Sequence, residues 1–304
     1  MTTGAKATAL DLFALLGEAV GAIDPHYRPA MQQALEDGKL AGRDWALAFI
    51  VQAGEPQAAA PACIYAQMPY AAPARIDADL AGAVERGVLW LDAGAYRLSE
   101  QGRAALAGSF AAVHAALVGY EPLPAAELEQ LTSLLERVVR ACVAAPEPAA
   151  KEALLGSRRS DPGPQAAPGA RIDQLLTDLL RFRDDAHVAA WQPLGVSGLA
   201  WELLTLVWRG EATTREALEQ QLERRGHAPA DYDQALGDLA GRGWLAERDG
   251  QLHVTDAGRA VREQAEEQTD RLFYGPWNRL SAAEIDQLRT LLVRLRDTAP
   301  APAA

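Results

Sequence analysis

No stretch of the chain approaches 18 uncharged apolar residues, so no membrane-spanning helix is expected. The opening segment, MTTGAKATALDLFALLGEAV, lacks the basic start of a secretion signal. Asp11 and Glu18 interrupt its apolar residues, and it reads as an amphipathic helix. Cysteine is scarce: Cys63 and Cys142 are the only two and form no CxxC, which suits a reducing cytoplasm. Each reads as a small buried hydrophobe, with a redox-sensing pair as the alternative. There is no Gly-rich phosphate loop, HExxH, G-x-S-x-G or Cys/His zinc cluster, so neither an enzyme nor a bound cofactor or metal is expected. His26 and His187 follow Asp24 and Asp185, but no further His or Cys stands at ligand spacing. Positive charge is also in short supply: 29 Lys and Arg face 41 Asp and Glu, for a net charge of −12. That balance disfavours loose, sequence-independent attraction to nucleic acid.

What the chain does contain is itself, twice. Gly87, Leu89, Gly94, Gly102, Arg103 and Ala104 recur without a gap as Gly243, Leu245, Gly250, Gly258, Arg259 and Ala260. At the same offset Gly42, Trp45, Leu47, Gly54 and Glu55 fall on Gly198, Trp201, Leu203, Gly210 and Glu211, and Arg86 on Arg242. One inserted residue then brings LPAAELEQLTSLLER (123–137) onto LSAAEIDQLRTLLVR (280–294). Trp and Gly matches are hard to obtain by chance in an Ala/Leu-rich chain, so the sequence reads as a tandem duplication of a domain-sized unit. The implied organisation is a first repeat over 1–144, a Pro/Ala-rich linker over 145–169, a second repeat over 170–297 and a frayed tail over 298–304.

Each repeat reads in the same order. An amphipathic helix (about 8–21 or 171–183) precedes an apolar helix, which in the second copy is LAWELLTLVWRG, stopped by Gly210. TTREALEQQLERRG follows, with Thr213 as its expected N-cap and Glu216 completing a capping box. After a turn comes DYDQALGDLAGRG (231–243). WLAERDGQLHVT then reads as a hairpin turning at RDGQ, with Leu252 and Val254 alternating. Thr255 is the expected cap of a long helix. The closing helix carries an apolar stripe, Ile285, Leu288, Leu291, Leu292 and Leu295, matched by Leu128, Leu131, Leu134, Leu135 and Val138. The fold class expected is mainly α: two winged helix-turn-helix domains with small β-hairpin wings.

GWLAERDGQLHVTDAGRA resembles the wing-to-helix junction of MarR-type regulators, and LSAAEIDQLRTLL resembles their terminal dimerisation helix. RDDAHVAAW (183–191) and EEQTDRLFYGPWNRLS (266–281) are similar to an actinobacterial group of tandem winged-helix proteins. The resemblance covers most of the second repeat and much of the first. It implies dimers whose terminal helices interlock and whose recognition helices read half-sites one DNA turn apart. With both copies on one chain, and a linker that reaches roughly 25–30 Å if flexible, the expectation is a monomer with internal pseudo-two-fold symmetry.

The resemblance makes double-stranded DNA the expected partner and transcriptional regulation the expected function. Candidate DNA contacts are Arg75, Arg86 and Arg97 in the first repeat and Arg224, Arg225, Arg242 and Arg248 in the second. The expected recognition helices are nonetheless acidic. DYDQALGDLAGRG carries Asp231, Asp233 and Asp238, and RIDADLAGAVERG carries Asp77, Asp79 and Glu85. Such residues favour a helix N-terminus but repel phosphate. A second reading therefore stands beside the first: a winged-helix scaffold that has lost DNA binding and serves as a ligand sensor or protein-interaction module. MarR-like folds also bind small aromatic or lipophilic effectors between the DNA-binding lobe and the dimerisation helices. By that resemblance Trp191, Trp201, Trp208 and Trp277 are candidate ligand contacts, with an aromatic core as the plainer alternative.

Overall fold

The structure is a computed structural model that describes residues 3–40 and 42–298, with side chains from residue 12 onward. The frayed tail expected at the C-terminus thus falls, beyond Thr298, outside the described residues.

The protein is mainly α-helical, and the duplicated order is visible element by element. The first half comprises α1 (Thr3–Asp37), α2 (Gly42–Ala53), α3 (Pro61–Gln67), α4 (Pro73–Glu85), the hairpin β1 (Leu89–Asp92) and β2 (Ala95–Leu98), α5 (Glu100–Ala116) and α6 (Ala125–Ala144). A short helix α7 (Glu152–Ser157) follows. The second half comprises α8 (Pro168–Trp191), α9 (Gly198–Arg209), α10 (Arg215–Leu222), α11 (Pro229–Gly241), the hairpin β3 (Leu245–Arg248) and β4 (Gln251–Val254), α12 (Asp256–Tyr274) and α13 (Ala282–Arg296).

The twice-repeated junction has a steric cause. In the second copy the Thr255 side chain accepts a hydrogen bond from Gly258 N at 3.0 Å, capping α12. A Cβ on Gly258 would stand 2.1 Å from the Trp244 carbonyl oxygen, so only glycine lets the strand lie on the first helical turn. Ser99 and Gly102 repeat this arrangement against Val88, again at 2.1 Å. Each wing turns through two residues of positive φ, Asp249 and Gly250 or Ala93 and Gly94, the pattern of a two-residue hairpin loop.

Two local expectations change. The N-cap of α10 is Thr214, whose side chain accepts from Ala217 N, and not Thr213. Thr213 is drawn to the wing instead: its hydroxyl meets Gln251 Oε1 at 2.6 Å and its carbonyl accepts from Leu252 N at 2.7 Å. The first helix is also far longer than the apolar pattern suggests, because α1 continues through Pro25 and Pro29.

Buried residues form three clusters. One lies inside each winged lobe. The third joins the halves: Leu131, Leu135 and Val138 of α6 and Leu288, Leu292 and Leu295 of α13 share it with Ile23 of α1 and Phe182 of α8. Both apolar stripes are therefore covered within one chain. The Pro-rich segment between the repeats is packed too. Asp185 accepts from the amides of Ala153 and Leu154 at the start of α7, at 2.9 Å each, and Leu154 is fully buried. Cys142 sits in the shared core, where burial pushes its thiol pKa up, whereas Cys63 is exposed. Among the described residues no helix is long and apolar enough to cross a membrane.

Candidate functional site

In each lobe a helix–turn–helix, α3–α4 or α10–α11, leads into the hairpin. Most of the candidate arginines are already committed within the chain. Arg86 forms a two-pronged pair with Asp44, at 2.7 and 2.6 Å, and Asp44 is fully buried. Arg75 bonds Asp79 at 3.0 Å, and Arg97 donates to the Pro56 carbonyl at 2.8 Å. Arg225 pairs with Glu202 at 2.6 Å. Arg242 binds Asp238 and donates to the carbonyls of Leu194 and Gly195. Arg224 and Arg248 are exposed, and neither is tied to a carboxylate.

The outward residues of the recognition helices supply no replacement. On α4 they include Ala74, Asp77, Ala78, Ala81 and Glu85; on α11 they include Asp231, Asp233, Gln234, Gly237 and Ala240. Asp77 accepts from Tyr65, and Asp233 pairs with Arg215. The first wing turns through Leu91, Asp92, Ala93 and Gly94, with no cation at its tip. Phosphate binding needs the opposite charge at these positions.

The two helix–turn–helix units also hold each other. The Ala72 amide at the start of α4 donates to the Arg225 carbonyl at 2.9 Å. His227 contacts the Tyr70 carbonyl at 2.9 Å, and Trp191 Nε1 donates to the Tyr70 hydroxyl at 3.0 Å. The Arg225 guanidinium lies 5.5 Å from the centre of the Tyr70 ring. At Gly198 the lobes approach so closely that a Cβ would stand 1.8 Å from the Pro69 carbonyl oxygen. The turn before α11 is thus docked on the first turn of α4.

Three of the four candidate tryptophans occupy core positions, and Trp208 is half-buried. Trp191, Trp201 and Trp277 are 2%, 1% and 3% exposed, leaving no face for a ligand in this form. Trp191 and Trp201 stack at 6.0 Å, and Trp201 Nε1 bonds His187 Nε2 at 3.2 Å. Trp208 and Trp201 flank the Arg262 guanidinium, at 5.0 and 4.8 Å from their ring centres. Burial, with the Arg262 charge next, holds the His187 pKa down at about 4. A cavity opens instead beside the first lobe, with a volume of about 490 Å³ between α1, α2, α5 and α8. Trp45, Phe49, Phe110, Tyr27 and Asp173 line it. Sequence reasoning missed it; the one available signal was Trp45, the repeat counterpart of Trp201.

A three-helix unit followed by a hairpin, present twice, defines a winged helix-turn-helix protein. A family model described as a helix-turn-helix family matches residues 90–303, and the chain belongs to that family. Membership places it in a class whose members are, in general, DNA-binding regulators. No curated protein matches the chain, and no solved structure does.

Proposed function

We propose that the chain is an internal pseudo-dimer of two MarR-like winged helices, monomeric in solution, that works as a ligand-sensing module and in this form does not read DNA through α4 and α11. The docking of the two helix–turn–helix units carries the reading. Each recognition helix has 13 residues and is roughly 20 Å long. With the turn before α11 seated on the first turn of α4, their midpoints fall short of the roughly 34–36 Å that separates successive major-groove half-sites. The acidic outward faces support the same conclusion. Fluorescence anisotropy at low salt, with duplexes from the chain's own upstream region, is the test. The expected outcome is no sequence-dependent binding below about 10 μM, whereas affinity in the nanomolar range of specific binders overturns the reading. Light scattering is expected to give the mass of one chain.

A DNA-binding regulator whose lobes part is the second reading. It is favoured by family membership and by Arg224 and Arg248, both exposed on the second lobe. On that reading Arg224→Ala and Arg248→Ala each weaken binding, and the slope of log affinity against log salt shrinks by about one unit per lost phosphate contact.

A further inference from the structure

We propose that the first-lobe cavity is a binding site for a small organic cation, an amine carried on an aromatic or alkyl body, whose ammonium group pairs with Asp173. This deepens the ligand-sensing reading and rests on it.

The walls supply the apolar half of such a site. Trp45 stacks on Phe49 at 5.5 Å between ring centres, and Phe110 leans on both, at 5.9 and 6.2 Å. Aromatic faces attract cations as well as apolar groups. Asp173 supplies the polar half. It lines the cavity at 9% exposure, and its Oδ1 has no hydrogen-bond partner. The neighbouring polar groups do not serve it: Gln174 and Ser157 both donate to Asp178, and Arg181 at the rim is tied to Asp184 at 3.2 Å. A buried carboxylate without a partner is costly and rare. Burial, reinforced by the nearby Asp24, holds its pKa up at about 7, so an arriving cation has a charge to create and then neutralise.

The second lobe indicates what chemistry the place accepts. The offset that carries Gly42 to Gly198 carries Trp45 to Trp201, Leu106 to Arg262, Phe110 to Glu266 and Tyr27 to Arg183. Over Trp201 the second lobe holds a cation of its own, the Arg262 side chain, 1% exposed and paired with Glu266 at 2.6 Å. In the first lobe Leu106, fully buried in that lobe's own core, stands in place of that arginine. The carboxylate comes from across the pseudo-symmetry axis: Asp173 belongs to α8 of the second repeat, and its counterpart on α1 is Gly17. One lobe thus contains aromatic rings, an acid and a built-in cation. The other contains rings and, beside them, a cavity with an acid on its wall.

The full-length chain is titrated calorimetrically with three probes of one body: 4-phenylbutylamine, 4-phenylbutan-1-ol and 4-phenylbutyrate. The amine is expected to bind at least about tenfold tighter than the alcohol, the span of a charge-assisted hydrogen bond being roughly 10- to 100-fold; the acid is expected not to bind. Asp173→Asn, which removes an unpartnered acid and keeps its shape, is expected to bring the amine down to the alcohol's affinity. The proposal is overturned if the alcohol or the acid binds as well as the amine, if Asp173→Asn binds the amine undiminished, or if no probe binds by about 10 mM. Those failures are distinguishable from failure of the ligand-sensing reading, which falls only to specific DNA binding in the anisotropy assay.

Discussion

Gly198 and Gly42 hold the same place in the two repeats, the first residue of α9 and of α2, yet their surroundings are opposite. A methyl on Gly198 would meet the Pro69 carbonyl oxygen at 1.8 Å, whereas one on Gly42 would meet nothing within 4 Å. Contact between a carbon and an oxygen needs more than 3 Å, so Gly198→Ala must push the α3–α4 loop away by more than an ångström. Forced overpacking of this kind costs about 1–3 kcal/mol. The displaced loop also carries the Ala72–Arg225, His227–Tyr70 and Trp191–Tyr70 contacts, each worth about 1 kcal/mol. The expected loss is therefore roughly 4–6 kcal/mol, which for a chain of this size lowers Tm by about 6–9 °C. Gly42→Ala is expected to leave Tm unchanged or raise it, since alanine is the better helix former by up to about 1 kcal/mol. Scanning calorimetry reads both variants, and hydrogen exchange at the Ala72 amide reports whether the lobes have separated. Equal melting of the two variants, or an Ala72 amide still protected in Gly198→Ala, would refute the claim that the lobes are held together at this point.

Leu288→Asp places a charge at a fully buried position of the shared cluster and is expected to cost at least about 4 kcal/mol; unfolding of both halves at the wild-type denaturant midpoint would contradict a common core. Arg86→Ala leaves Asp44 buried without its partner. About 3 kcal/mol of stability is expected to go, at the low end for a broken buried pair because Arg86 itself is half-exposed, while exposed Arg224→Ala is expected to stay within about 0.5 kcal/mol; urea titrations compare the two. Asp173, with its folded pKa raised to about 7 from its ordinary 3.8, binds its proton more tightly when folded, so its contribution to stability falls as pH rises from about 4 to 7. Tyr27, His114 and Asp184 line the same cavity and add slopes of their own, so the readout is the difference between Asp173→Asn and wild type. That difference is expected to be near zero at pH 4 and to favour the variant by a few kcal/mol at pH 8; a flat difference would count against the buried acid.

Local steric demands were legible in the sequence. Gly258 and Gly102 recur because a strand carbonyl lies on each of them, and Thr255 caps its helix where a hydroxyl before a helical run predicts it. The wings followed from Asp249–Gly250 and its counterpart, since their loops need positive φ. Contacts between distant segments were not legible. Thr213 satisfies every local rule for a cap, but the wing competes for its hydroxyl and Thr214 takes the role. Proline within a helix ordinarily breaks or kinks it, yet α1 passes through Pro25 and Pro29. The tryptophans of the second repeat have the spacing of either a core or a crevice, and only the three-dimensional packing separates the two. Asp173, in RIDQLLTDLL, looks like an ordinary solvated helix residue, because nothing local reveals that α8 turns it towards the rings of the other repeat.

The cavity beside the first lobe also governs how a dose–response curve must look. A symmetric homodimer carries two equivalent sites, so its response can steepen through cooperation between them. In this chain the Arg262 guanidinium lies over Trp201 in the second lobe, and the proposed ligand site is the one cavity beside the first lobe, one per molecule. Saturation of that site follows a simple hyperbola with a Hill coefficient of one, spread over nearly two decades of ligand concentration. A chain that offers the proposed ligand a single site gives up switch-like steepness in favour of a graded reading of concentration.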